Sequence, residues 1–66
     1  MPTIDEALQI GWKQHQSGNV RGAEDVYRQV LLVAPGNENA WCFLGMACHD
    51  QGRFDEAAAA YREALR

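Results

Sequence analysis

The chain has 66 residues and a formal net charge of −3, and 47% of its residues are hydrophobic. A chain of this length forms one small domain that buries only about 60% of its unfolded surface. Its six basic residues form no cluster, which disfavours binding to nucleic acid and to anionic membranes. Neither a basic segment followed by a short apolar one nor a run of about 18 apolar residues occurs, so we expect no signal peptide and no membrane span.

The N-terminal residues predict where the first helix begins. Thr3 opens the segment T-I-D-E, a capping box in which Thr3 caps the helix and the Glu6 side chain bonds back to the cap. The first helix is predicted to run from about Ile4 to Ser17. It ends at Gly18, because glycine readily adopts the left-handed conformation that terminates helices.

Similar signals predict three further helices. Asn19 and Asn37 are good N-caps, while Pro35 and Gly52 interrupt the helical pattern. No segment alternates between apolar and polar residues, so no strand is expected. The predicted fold is all-α, with four helices in two antiparallel pairs, the last three of them at about Asn19–Val33, Glu38–Gln51 and Phe54 to the C terminus.

The two cysteines lie in the third predicted helix. Cys42 and Cys48 are six residues apart, which separates them by about 9 Å along the axis and by about 120° around it. A disulfide requires Cα atoms within about 7 Å, so a bridge within the chain is not expected. Free thiols fit a reducing compartment, and a cytoplasmic location is predicted.

An internal repeat becomes visible when the sequence is shifted against itself by thirty-four residues. The matches extend over the whole overlap, which makes the repeat real. Two conservative pairs, Ile10 with Leu44 and Val20 with Phe54, join the identical ones. The identical pairs are Gly11 with Gly45, His15 with His49, Gly18 with Gly52, Ala23 with Ala57, Tyr27 with Tyr61, Arg28 with Arg62 and Leu31 with Leu65.

Gly11 and Gly45 occupy the middle of predicted helices, where glycine costs about 1 kcal/mol relative to alanine. We expect each glycine to face the partner helix of its pair, which carries Ala23 or Ala57, so that the two backbones approach closely. Larger side chains are expected to pack around these crossings, namely Ile10, Tyr27, Leu31, Trp41, Leu44, Tyr61 and Leu65.

These residues resemble the tetratricopeptide repeat. The resemblance rests on the period and on W-x-x-L-G at Trp41, Leu44 and Gly45, followed by Gly52, Phe54, Ala57, Tyr61 and Ala64, with Gly11, Gly18, Ala23, Tyr27 and Pro35 in the first copy. It implies a right-handed α-solenoid segment. Residues 1–66 would form a single domain, with repeat one at about 4–37 and repeat two at about 38–66, which ends before its closing turn and lacks a capping helix.

The first copy departs from the family pattern more than the second does. Ala7 stands where Trp41 stands in repeat two, and Gln14 and Cys48 replace an aromatic residue in the two copies. Gly22 is also expected to weaken the start of the second helix. The first repeat is therefore slightly degenerate.

The resemblance implies a protein–protein interaction scaffold in which the first helix of each pair lines a concave groove. The groove positions are Asp5, Leu8, Trp12, His15 and Gln16 in repeat one, and Asn39, Cys42, Met46, His49 and Asp50 in repeat two. The family's clamp for a partner's terminal carboxylate is absent, because its positions hold Leu8, Trp12, Cys42 and Met46, and Lys13 falls beside them. The groove is expected to bind an apolar peptide or helix. The alternative is that Leu8 and Trp12 pack only within the domain.

Metal binding and catalysis are both disfavoured. Cys42, Met46 and His49 form a helical stripe that would suit Cu(I), with His15 approaching from the other repeat, but helical spacing produces such stripes readily. Neighbouring residues such as Cys48 and His49 point about 100° apart on a helix and cannot act as a nucleophile and its base. We expect no enzyme activity, no catalytic residue, no metal and no cofactor.

Self-association is the alternative function. Repeats of this kind bury their faces by stacking, and about three are normally needed, so a two-repeat chain is expected to be a homo-oligomer. It could be an excised or designed fragment whose main partner is another copy, joined end to end or by exchange of helices. The expected self-association surface comprises Ala58, Tyr61, Ala64 and Leu65.

Overall fold

The computed structural model describes residues 2–66, which form four α-helices and contain no strand. The helices are α1 (Ile4–Gln16), α2 (Val20–Val33), α3 (Glu38–Asp50) and α4 (Phe54–Ala64). Every predicted helix is present, and each boundary lies within two residues of its expected position. None of these helices is long and apolar enough to cross a membrane.

Side chains near the helix N termini satisfy backbone donors as the sequence predicts. The Glu6 N–H donates to Thr3 Oγ1 at 3.1 Å, and the Thr3 N–H donates to Glu6 Oε1 at 3.1 Å. These contacts with Thr3 hold the pKa of Glu6 below its usual range. Asn19 caps α2 and Asn37 caps α3, whereas Arg53 precedes α4 without a capping side-chain bond. Local sequence therefore determines where three of the helices begin.

The four helices pack in chain order, α1 on α2, α2 on α3 and α3 on α4. Gly18 and Gly52 end the first helix of each pair with φ of 96° and 78°, which lets a short turn reverse the chain. One continuous core runs through both pairs. Its buried apolar members are Leu8, Ala23, Tyr27, Val30, Ala40, Leu44, Ala47, Cys48, Ala57 and Ala60.

The mid-helix glycines accommodate tyrosine rings. A Cβ atom added to Gly11 would lie 2.6 Å from Cε1 of Tyr27, and one added to Gly45 would lie 2.6 Å from Cε1 of Tyr61. Each glycine faces the partner helix as expected, but the space beside it holds a tyrosine ring, and neither Ala23 nor Ala57 is among the atoms nearest to it.

Two of the residues expected around these crossings lie outside the core. Ile10 is 45% exposed and Leu65 is 87% exposed, so the prediction that they pack there is wrong. Leu44, the counterpart of Ile10 in the second repeat, is buried. The thirty-four-residue match therefore does not guarantee equal burial, because the position in repeat one lacks the neighbours that it has in repeat two.

Candidate binding groove

A shallow groove of about 400 Å³ lies between α1 and α3. Five of the ten predicted groove residues line it: Asp5, Leu8, Trp12, Gln16 and Asn39. Sequence reasoning missed three other lining residues, Gln9, Lys13 and Phe43. Gln9 and Phe43 are thirty-four residues apart, so the repeat register itself could have identified them as equivalent positions.

Aromatic rings connect this groove to the core. The ring centroids of Trp12 and Phe43 are 5.6 Å apart, and the Phe43 ring stacks on Tyr27 at 5.4 Å with 19° between their planes. Leu8 is buried beside them, and Trp12 is half-buried. Because Tyr27 is fully buried, the apolar floor of the groove rests on a fixed part of the fold.

Two predicted groove residues, His15 and Asp50, meet across the two repeats. His15 Nε2 lies 2.5 Å from Asp50 Oδ2, and the His15 side chain is only 8% exposed. The imidazole also packs against Trp12, with ring centroids 5.3 Å apart. The hydrogen bond to His15 holds the pKa of Asp50 below its usual range. This pair fixes α1 relative to α3 and supports Trp12 from one side.

The remaining predicted groove residues, Cys42, Met46 and His49, do not line the groove. Cys42 and His49 are exposed on α3, and Met46 is half-buried. The His49 ring instead packs edge-on against Phe54, with centroids 5.1 Å apart. Among residues 2–66, no group of three or more His, Cys, Asp or Glu side chains is placed to hold a metal ion.

The side chains of the adjacent residues Cys48 and His49 point to different sides of α3. Cys48 is 1% exposed and His49 lies at the surface. Burial raises the pKa of the Cys48 thiol, which keeps it protonated and a poor nucleophile. Both Cys42 and Cys48 are free thiols.

A buried carboxylate joins the repeats on the side away from the groove. Glu24 of α2 accepts hydrogen bonds from Gln51 Nε2 and Arg28 Nε, each at 2.9 Å, and pairs with Arg53. Burial disfavours its charge, but the bonds from Gln51, Arg28 and Arg53 and the charge of Arg53 outweigh burial and lower the pKa of Glu24. Sequence patterns do not predict the contacts of Glu24 with Gln51 and Arg53, because these residues lie 27 and 29 positions further along the chain.

The expected self-association residues lie on α4 and just after it. Ala58 and Leu65 are exposed, and Tyr61 and Ala64 are half-buried. Among residues 2–66, no aromatic ring stacks on Tyr61 as Phe43 stacks on Tyr27. This face of α4 is thus accessible to a further apolar surface.

Comparison with known proteins agrees with the four-helix fold. A model of the tetratricopeptide repeat family matches residues 6–66. The chain belongs to the tetratricopeptide repeat family. Its repeats are also similar to Protein POLLENLESS 3-LIKE 2 of Arabidopsis thaliana, with 46% identity over 57 residues that make up 86% of this chain. The chain spans only 12% of the length of that relative.

Membership of the tetratricopeptide repeat family supports a general role. Such repeats generally mediate protein–protein interaction and serve as non-catalytic scaffolds.

Proposed function

We propose that this tetratricopeptide repeat domain, residues 1–66 in two repeats, is a cytoplasmic module that binds an apolar peptide or helix of a partner protein in the groove between α1 and α3. The observation that carries the proposal is the pairing of Trp12 from one repeat with Phe43 from the other at the floor of the groove. Aromatic anchors of this kind dominate binding energy in protein interfaces, because they bury a large area at a small cost in conformational entropy.

The polar residues at the rim of the groove favour recognition of a partner through the partner's apolar side chains. Asp5 and Lys13 place one negative and one positive charge there, while Gln9, Gln16 and Asn39 supply neutral donors and acceptors. Among the described residues that line the groove, Lys13 alone is cationic. With Leu8 and Trp12 at clamp positions, affinity is expected to depend on the partner's apolar residues and not on a terminal carboxylate.

A selection from a displayed peptide library tests this proposal. Selected peptides should bind the Trp12→Ala variant at least tenfold more weakly than the wild type, since truncation removes the anchor of the groove. The Phe54→Ala variant, which removes an exposed aromatic residue outside the groove, is the matched control and should bind normally. Circular dichroism of each variant verifies that the helices are retained.

Each selected peptide should then be compared with a free carboxylate and with an amide at its C terminus. Equal affinities for the two forms are expected when the clamp is absent. Peptides that bind Trp12→Ala as tightly as the wild type would refute groove binding and favour the interpretation in which Leu8 and Trp12 only pack within the domain.

A second candidate function is self-association through the α4 face. The observation that favours it is the difference between Tyr27, which Phe43 covers, and Tyr61, which no described aromatic ring covers. End-to-end stacking of copies would, however, place Glu6, Gln9 and Lys13 of α1 where α3 presents Ala40, Phe43 and Ala47 to the preceding repeat. An antiparallel contact between two α4 faces is therefore the more favourable arrangement.

Light scattering across a hundredfold dilution, with helicity followed by circular dichroism, tests the second candidate. A dimer that the Leu65→Glu substitution dissociates would support it. Leu65 is exposed in the single chain, and a glutamate at this position would have its charge buried in the contact. A helical monomer at all concentrations would refute it and leave the groove as the binding surface.

A further inference from the structure

An apolar notch of about 340 Å³ lies between α1 and α2, and it shares no residue with the groove. Six of its eight lining residues are apolar, and none is charged. The lining residues are Pro2, Thr3, Ile4, Ala7, Val26, Gln29, Val30 and Val33. We refer to this site as the α1–α2 notch.

The second repeat shows what occupies the corresponding place. A shift of thirty-four residues relates Ala7 to Trp41, Val26 to Ala60 and Gln29 to Glu63. The side chain of Trp41 packs against the core and lines the same cleft as Ala60 and Glu63 between α3 and α4.

The indole of Trp41 is also held by a hydrogen bond. Its Nε1–H donates to the carbonyl oxygen of Pro35 at 2.7 Å. In the second repeat an indole thus lies between the two helices, with its ring on apolar residues and its N–H satisfied. In the first repeat the methyl group of Ala7 stands in its place.

We propose that the α1–α2 notch binds an aromatic side chain, of the size of an indole, that a partner protein supplies. Apolar cavities of about 150 Å³ in protein cores bind benzene, so the notch has room for a ring of this class. None of the described lining residues is charged, which favours an apolar ligand, and the side-chain oxygen of Gln29 offers an acceptor for an indole N–H.

The tryptophans of this chain are poor candidates for the occupant. Trp12 packs against His15 and Phe43, and Trp41 is bonded to Pro35. Removing either from its place would sacrifice packing on which its own repeat depends. A ring from another protein carries no such cost, which is why the occupant is assigned to a partner.

A titration with N-acetyl-tryptophanamide, followed by methyl NMR, tests the proposal. The methyl resonances of Ile4, Val26, Val30 and Val33 should shift in a saturable way, with a dissociation constant on the order of 1 mM for so small a ligand. The methyl resonances of Leu65, which is exposed just after α4 and does not line the notch, should not shift.

Substitution of Ala7 distinguishes this site from non-specific binding. Ala7→Trp should supply the indole within the chain and weaken binding of the probe at least tenfold, and Ala7→Leu should weaken it less. Leu32→Trp adds the same residue to an exposed part of α2 outside the notch and should leave binding unchanged.

The proposal is overturned if the wild-type methyl resonances do not shift, or if folded Ala7→Trp and Ala7→Leu variants bind as the wild type does. Shifts of the notch resonances on concentrating the protein without probe would also overturn it, because a second copy would then be the occupant. Peptides selected for the groove should not displace the probe, because the notch and the groove share no lining residue, and this separates the two tests.

Discussion

The two repeats make the same glycine–tyrosine contact, but they differ in what covers it. Tyr27 lies over Gly11 and is fully buried beneath Phe43 of the next repeat, whereas Tyr61 lies over Gly45 and remains partly exposed. Identical residues at equivalent positions thus have different burial, because a repeat is completed by its neighbour. The burial of a repeat residue depends on both its own position and the facing helix.

The equivalent helices α1 and α3 also differ in the residues on their corresponding faces. The face of α3 directed toward repeat one carries Ala40, Phe43 and Ala47, and the two alanines are fully buried. Their counterparts on α1 are the exposed residues Glu6, Gln9 and Lys13. One face is therefore suited to an apolar neighbour and the other to water.

The largest expected effect is the loss of the buried tyrosine. Tyr27→Ala should lower the free energy of unfolding by about 3 to 5 kcal/mol, and Tyr61→Ala by only about 2 kcal/mol, because Tyr61 buries less surface. Since a domain of this size is stable by roughly 3 to 10 kcal/mol, the first variant should lose a large part of its stability at 25 °C. Thermal unfolding monitored by circular dichroism measures both.

Tyr27→Phe is the control for this comparison. The Tyr27 hydroxyl is buried without a hydrogen-bond partner among residues 2–66, so its removal should leave stability unchanged or slightly raise it. Equal losses for Tyr27→Ala and Tyr61→Ala would show that coverage by Phe43 does not distinguish the repeats.

The next effect concerns the glycines beneath these rings. Gly11→Ala places a Cβ atom too close to the Tyr27 ring. The free-energy cost of this overpacking should exceed the gain in helix propensity, so the variant should be less stable by about 1 to 2 kcal/mol. Gly45→Ala should cost less, since the partly exposed Tyr61 ring can shift toward solvent. Urea unfolding of both variants measures the difference.

Gly36→Ala is the matched substitution, because nothing lies within 4 Å of the added Cβ atom. It should unfold as the wild type does. A larger loss for Gly45→Ala than for Gly11→Ala would contradict the idea that Phe43 holds the Tyr27 ring in place.

A smaller effect is expected from the carboxylate that joins the repeats. Glu24 has no counterpart in repeat two, where Ala58 stands in its place. Glu24→Gln should lower stability at pH 7 by about 1 to 2 kcal/mol, less than for a wholly buried pair because the Arg53 side chain is 37% exposed. Urea unfolding at pH 7 and at pH 3 measures this change and its dependence on pH.

The pH dependence has a defined sign. The pKa of Glu24 is lower in the folded than in the unfolded chain, so its contribution is present above the ordinary glutamate pKa of about 4.5 and is lost as the pH falls through the folded-state value. The difference between wild type and Glu24→Gln should therefore shrink toward pH 3. The exposed Asp25→Asn is the control on the same helix, and a difference that grows on acidification would refute the assignment.

The smallest effect is expected at the helix caps. Asn19→Ala and Asn37→Ala should each cost about 1 kcal/mol, because each removes the bond to an N-terminal backbone N–H. Gly22→Ala should bring no gain from helix propensity, since its Cβ would collide with the Asn19 side chain. A clear stabilisation by Gly22→Ala would show that the cap of α2 rearranges freely.

The helices, their approximate boundaries, the repeat and its family can all be predicted from the sequence. Those features depend on local chemistry: caps at Thr3, Asn19 and Asn37, left-handed glycines at Gly18 and Gly52, and a period that is visible without any contact. Five of the ten residues that the family resemblance assigns to a groove also line the cavity between α1 and α3, and their role in binding stays a prediction.

Contacts between helices determine which equivalent residues are buried and which residues distant in the chain lie together. Phe43 lines the groove and stacks on Tyr27. His15 contacts Asp50, and Glu24 pairs with Arg53 across the two repeats. Ile10 stayed at the surface although its counterpart Leu44 is buried. These outcomes depend on which helix faces a residue, and a pattern within one helix does not contain that information.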